Sequence, residues 1–145
     1  MKALLQRVTQ ARVTVAGETV GEIQQGLLVL LGVERDDDTA KADKLVNKLI
    51  AYRIFSDEAG KMNCSLKDIN GELLLVSQFT LAAETNKGLR PGFSTAAPPD
   101  LAQELYQYMI AALKAKSIKI QTGQFGANMQ VSLTNDGPVT FLLEA

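Results

Sequence analysis

The residues best placed to do chemistry are Ser77, Gln78 and Thr80, clustered in "VSQFTLAA" where a buried apolar run gives way to polar residues. A strand end beside a long loop is a common position for a site. A hydroxyl becomes a nucleophile only with a base beside it, and the nearest one in sequence is Glu84. The simpler account is that these side chains satisfy backbone groups as the strand reaches the rim of a sheet. The chain contains no histidine. Ser-His-Asp and Cys-His arrangements are therefore excluded, as are histidine-based metal sites. Any hydrolysis here must proceed without an imidazole base.

Other residues carry weaker signals. Gly137 and Pro138 sit in "TNDGPVTF", where Asn-Asp-Gly-Pro reads as a hairpin turn. An X-Pro bond is cis in only about 5–6% of cases in folded proteins, so an ordinary trans turn is the default. Phe125 follows Gly123 in "TGQF" and could lie against a planar ligand, although core packing explains it equally well. Arg90 in "LRPGF" offers a single cation to a phosphate. The run Asp36-Asp37-Asp38 could suggest a metal, but a helix N-terminus accounts for it through capping and the helix dipole. Cys64 has only Lys61 and Lys67 nearby to lower its pKa and reads as a partly buried structural thiol.

The elements that must position these residues follow from pattern. "KALLQRVTQARVTVAGETVGEI" is rich in Val and Thr and reads as two or three antiparallel strands with a hairpin at Gly17. "GLLVLLGV" is a continuous apolar run typical of a strand buried on both faces, and "ELLLVSQFTLAA" reads as a second buried strand that ends in polar residues. Ala42, Leu45, Val46, Leu49 and Ile50 fall on one face of a first helix. Pro99 and Asp100 start a second helix, reaching about Lys116, whose buried face carries Ala102, Leu105, Tyr106, Met109 and Leu113. Between them runs the long loop "ETNKGLRPGFSTAAPPD", of a length that is often functional. The order of buried strand, polar excursion and helix occurs twice and hints at a weak duplication. About eight strands and two helices predict a mixed α/β (α+β) class. The expected form is a three-layer sandwich of two packed, largely antiparallel, barrel-like sheets with both helices on one side. No linker divides the chain, so residues 1–145 read as a single domain.

Bulk properties narrow the function classes. The 145 residues are 46% hydrophobic and 21% charged, an ordinary globular composition. A net charge of −1 offers no footprint for long stretches of nucleic-acid backbone, so no DNA partner is expected and any RNA should be met over a small area. No segment reads as a signal peptide or membrane span, and the single cysteine fits a reducing cytoplasm.

Two motifs taken together are specific. "SQFTL" at 77–81 with "NDGPVT" at 135–140 resembles the paired signature of the D-aminoacyl-tRNA deacylases. The likeness extends across the chain through "LLQRVTQARVTV", "GLLVLLGVE", "YRIFSDEAGKMN", "LRPGFS" and "TGQFGANMQVSLTNDGPVTF". It implies a cytoplasmic homodimer with active sites at the subunit interface, acting on the 3′ end of aminoacyl-tRNA without a metal or other cofactor. It implies hydrolysis of the ester that joins a D-amino acid, or glycine, to the terminal adenosine. In that family the Gly-Pro bond is cis and its loop enters the partner's site. Gly137 and Pro138 would then screen a substrate held beside Ser77, Gln78, Phe79 and Thr80 of the other chain. Thr80 is expected to place or hydrogen-bond the substrate, and backbone N–H groups around Gln78 and Phe79 to form the oxyanion hole. Phe125 is expected to meet the adenosine and Arg7 to hold the Gly-Pro loop. The chain departs from the family at Gly92, Thr95, Ala96 and Pro98, where "RPSFSKGASP" is usual, and at Gly126 and Asn128. The missing lysine at 95 removes one expected phosphate contact. Two rival readings are a non-catalytic dimeric module binding nucleotides or amino acids and a generic esterase using Thr80 or Ser77.

Overall fold

A computed structural model describes residues 1–145. Its central strand is β1 (Lys2–Val15), which turns through Ala16-Gly17 into β2 (Glu18–Ile23). Both turn residues have positive φ, +50° and +81°, the geometry whose twist matches that of a two-residue hairpin. β3 (Gly26–Gly32) continues along the same edge of β1, antiparallel to it. β6 (Glu72–Ser77) lies parallel to β3, and β7 (Lys119–Thr122) lies parallel to β6. Between β3 and β6 come α1 (Thr39–Ala51) and the small antiparallel pair β4 (Phe55–Ser56) and β5 (Met62–Cys64). α2 (Pro99–Ala115) precedes β7, and β8 (Gln130–Glu144) runs antiparallel along the remaining edge of β1.

The fold is the mixed α/β class expected, with eight strands and two α-helices. The two packed sheets are opposed walls of one curled six-stranded sheet, ordered β2-β1-β3-β6-β7 with β8 on β1. Curling brings Gly21 of β2 against the Thr122 carbonyl of β7, where an added Cβ would collide. Near closure of the barrel thus depends on a residue without a side chain.

Strand alternation then divides the apolar residues between two cores. Leu27, Val29 and Leu31 of β3, with Leu73 and Leu75 of β6, face the helices. Leu28 of β3, with Leu74 and Val76 of β6, faces the barrel interior with Val8, Val13 and Ile23. β3 and β6 therefore read as unbroken apolar runs because both of their faces are buried. The helices use the faces their periodicity predicts: Ala42, Leu45, Val46 and Leu49 in α1, and Ala102, Leu105, Tyr106, Met109 and Leu113 in α2, are buried.

Two sequence expectations need correction. Residues 135–138 are not a hairpin turn, because β8 continues in one direction through them and pairs with β1 on either side. The turn-forming residues are instead extruded as a bulge, which uses the same residue types. The aspartate run also does more than start a helix. Asp38 caps α1 by accepting from Lys41 N at 2.9 Å. Asp37 is buried and accepts from the Met1 ammonium at 2.8 Å, Glu34 N at 2.7 Å and Lys41 Nζ at 3.3 Å.

Removing one partner from a buried ion pair leaves an uncompensated charge, at a cost of about 3–5 kcal/mol. Asp37→Asn is therefore expected to lower the urea midpoint by an amount equivalent to about 3 kcal/mol, whereas Asp36→Asn, at an exposed position, should leave it nearly unchanged.

Candidate active site

β6 carries its apolar residues as far as Val76, and the chain emerges from the sheet at Ser77. The Gln78 amide donates to the Leu31 carbonyl at 2.7 Å, extending the ladder to β3 by one residue. The chain then tightens into a single 3-10 turn over Phe79–Ala82, closed by Leu81 N donating to Gln78 O at 3.1 Å and Ala83 N to Thr80 O at 3.1 Å. Gly32 permits this turn to sit on β3, since a Cβ there would lie 2.8 Å from that of Leu81. A helical turn leaves its first N–H groups without internal partners, and here they belong to Phe79 and Thr80. The Gln78 amide is committed to Leu31 and is not free to receive an oxyanion as expected, whereas the amides of Phe79 and Thr80 have no partner within the turn.

The Gln78 side-chain Nε2 donates to Thr80 Oγ1. With one lone pair engaged by this bond, the hydroxyl keeps its proton available to donate. Its partner is an amide rather than a base, so nothing in this arrangement activates Thr80 as a nucleophile.

Ser77, Gln78 and Phe79 border a cleft of about 460 Å³ whose other walls come from the start of α2 and the loop after β7. Phe125 and Met129 line that loop side, and Tyr106 forms part of the floor. The Tyr106 hydroxyl donates to Leu75 O at 2.7 Å, and the same carbonyl accepts from Gly123 N at 3.1 Å. One oxygen of β6 thereby ties the helix and the loop together. Burial pushes the Tyr106 pKa up to about 12, so the hydroxyl stays neutral and acts as a donor. Its ring meets Phe125 edge-on, with centroids 5.8 Å apart at 85°. Met129 Sδ accepts from Gln124 N at 3.4 Å, which steadies the same loop.

Gly137 and Pro138 lie elsewhere. Between the pairs Gln6–Thr140 and Val8–Asn135, the single residue Arg7 faces residues 136–139 of β8. Arg7 Nε donates to Asp136 O at 3.0 Å, and Nη1 donates to Ile54 O at 2.9 Å. Asn135 closes the base, its Oδ1 accepting from Val139 N at 2.8 Å and its Nδ2 donating to Thr140 Oγ1 at 2.8 Å. The Gly137–Pro138 bond is cis, and both residues are exposed.

Strand register measures how far apart the two motifs stand. Arg7 is level with Leu27 and Leu73, while Ser77 is level with Leu31. The bulge and the end of β6 are three strand steps and four residues apart, roughly 20 Å along the sheet at ordinary strand spacings. The fold brings Ser77, Gln78, Phe79 and Phe125 to one cleft, with Thr80 at its edge. It places Arg7, Gly137 and Pro138 together on a separate protrusion. Tyr106 and Met129 were missed as site residues, because Tyr106 reads as an apolar position on a helix face and only its hydroxyl distinguishes it.

The family model described as D-Tyr-tRNA(Tyr) deacylase matches residues 4–144. The chain is 65% identical over its whole length to a protein named D-aminoacyl-tRNA deacylase from Stutzerimonas stutzeri, covering 100% of each. It is 64% identical over 143 residues to one of the same name from Haemophilus influenzae, covering 99% of each. Among solved structures, one named c-Myc DNA Unwinding Element Binding Protein is 43% identical with a TM-score of 0.95, covering 100% of this chain and 99% of that one. A probable eukaryotic D-amino acid tRNA deacylase shares the fold at a TM-score of 0.88 and 17% identity, covering 99% of this chain and 98% of that one. The chain belongs to the D-Tyr-tRNA(Tyr) deacylase family.

The Arg7 side chain is 12% exposed, and of its two hydrogen bonds the one to Ile54 O is part-buried while the one to Asp136 O is exposed. Arg7→Met should cost about 2 kcal/mol through loss of the charged donors. Hydrogen exchange should quicken at Val139, whose amide is held by Asn135, while the amides of β6 keep their protection.

Proposed function

We propose that the protein hydrolyses the ester of D-aminoacyl-tRNA, and of glycyl-tRNA, releasing the amino acid and free tRNA. The observation that carries this reading is the site without a base: a Thr80 hydroxyl held by Gln78, beside the leading N–H groups of a 3-10 turn, at the mouth of an apolar cleft. Such a site suits an ester that is already activated. The ribose 2′-OH adjoins the scissile bond, so positioning the ester and stabilising the developing oxyanion can supply much of the rate. In this reading the N–H groups of Phe79 and Thr80 receive the oxyanion. Thr80 Oγ1 donates to the substrate, Ser77 and Gln78 hold the strand end in place, and Phe125 lies against the adenosine.

Selection between mirror images is assigned to Gly137 and Pro138 of a second copy of the chain. The separation of roughly 20 Å along the sheet supports this assignment, since one chain alone does not bring the bulge to its own cleft. Hydrogen bonds from the substrate's amino group to main-chain carbonyls of the bulge would fix the direction of its Cα. An L side chain would then run into the bulge, a D side chain would point away, and glycine would have nothing to collide. Exclusion by main-chain atoms can admit many D-amino acids while refusing L ones. The protein would thus work as a homodimer with two composite sites, in the cytoplasm where charged tRNA is found. Binding of duplex DNA, which the name of one structural relative would suggest, needs a cationic footprint that a net charge of −1 does not supply.

Purified protein should deacylate D-Tyr-tRNA and leave L-Tyr-tRNA intact; loss of neither ester, or of both alike, would refute the proposal. Its salt dependence should be shallow, with a log-log slope of about −1 to −2 for one to three phosphate contacts on a single strand. Subunit mixing tests the composite site. One parent carries Gln78→Ala and Thr80→Ala, and the other has residues 137–138 deleted so that it accepts L substrates. Mixed dimers should regain D-selective turnover, which a site built within one chain could not do.

A further inference from the structure

In the single chain, two aromatic rings stand exposed at the edge of the cleft. Phe79 is 60% exposed and Phe93 is 40% exposed, and they lie against each other with centroids 5.1 Å apart at 46°. They flank a loop closed at its base by Glu84 and Gly92, whose main chains exchange hydrogen bonds of 2.7 and 3.0 Å. The enclosed residues carry Lys87 and Arg90, both exposed and neither in an ion pair, with Leu89 fully exposed between them. The loop's one carboxylate, Glu84, accepts from Asn86 Nδ2 at 3.3 Å.

The segment after the loop is tied to the cleft wall. Thr95 Oγ1 donates to Ala82 O at 2.7 Å, Arg35 N donates to Thr95 O at 3.0 Å, and Ala97 N donates to Val33 O at 3.0 Å. Phe93 is therefore held at a set position beside Phe79, which itself borders the cleft. Exposed π-faces continuous with a nucleoside-sized cleft and edged by unpaired cations form the combination that binds single-stranded nucleic acid. Aromatics with a polar rim also suit a protein partner, but the loop's one carboxylate is engaged by Asn86 and its free charges are of one sign, which favours phosphates.

We infer that Phe79 and Phe93 form a stacking ledge for the nucleotide preceding the terminal adenosine, with Lys87 and Arg90 alongside its phosphates. This rests on the deacylase reading of the cleft and adds a second subsite to it. The ledge draws on the RNA beyond its last nucleoside, so its contribution disappears when the substrate is cut back to that nucleoside.

The test compares D-Tyr-tRNA with 3′-D-tyrosyl-adenosine as substrates for wild type, Phe93→Leu and Phe93→Tyr. Phe93→Leu keeps an apolar side chain but loses the π-face. It should lower kcat/KM on the tRNA about tenfold, as removal of one stacked base does, and leave the adenosine ester unaffected. Phe93→Tyr should retain most of the wild-type rate on both. Equal losses on both substrates, no loss on either, or dissociation of the oligomer in Phe93→Leu would overturn the ledge. Wild-type protein that leaves both D-esters intact would overturn the deacylase reading and the ledge with it, whereas unexpected Phe93 results alone leave that reading standing.

Discussion

Everything that projects from the sheet at residues 136–139 depends on a mismatch of chain length: β1 supplies one residue where β8 supplies four. A strand pair tolerates such an excess only if the extruded main chain finds other partners. Arg7 provides them, because a planar guanidinium can reach two carbonyls in different directions, here Asp136 and Ile54. Asn135 adds a partner for Val139 N through Oδ1 and ties its own side chain to the Thr140 hydroxyl through Nδ2. The protrusion is thus specified by two polar side chains at its root and needs little from its own tip.

A second constraint acts at the other end of the sheet. Leu75 O receives both the Tyr106 hydroxyl and the Gly123 amide, so α2, β6 and the loop after β7 meet at one atom. Phe125 is then located by its edge contact with Tyr106 and by the Gln124 N–Met129 Sδ bond beside it. The cleft is built from long-range contacts whose parts lie far apart in the chain, and each part is fixed by the two-sided burial of β6.

How legible this was depended on the kind of signal. The helices were plain because Leu45 and Leu49, or Leu105 and Met109, can be buried together only on a 3.6-residue repeat. β3 and β6 were plain because runs without polar relief, seven residues in β3 and the four from Leu73 to Val76 in β6, suit strands covered on both sides. Asn-Asp-Gly-Pro was misread because chain reversal and a bulge draw on the same residues, and only pairing with β1 tells them apart. The commitment of the Gln78 amide to Leu31 was likewise invisible, since parallel register leaves no local trace in sequence. Asp37 looked like one more helix-starting acid because its charged partner, the Met1 ammonium, sits across the fold.

The bulge also bears on solubility. β8 pairs with β1 along one side only, and a fifteen-residue strand with a bare outer edge is a ready template for unwanted chain-to-chain pairing. The extruded residues split that edge into two short stretches, 130–135 and 140–144, and put between them a proline that has no N–H to offer an incoming strand. The same kink therefore shields the molecule from stacking into fibrils, at the place where its longest strand would otherwise invite it.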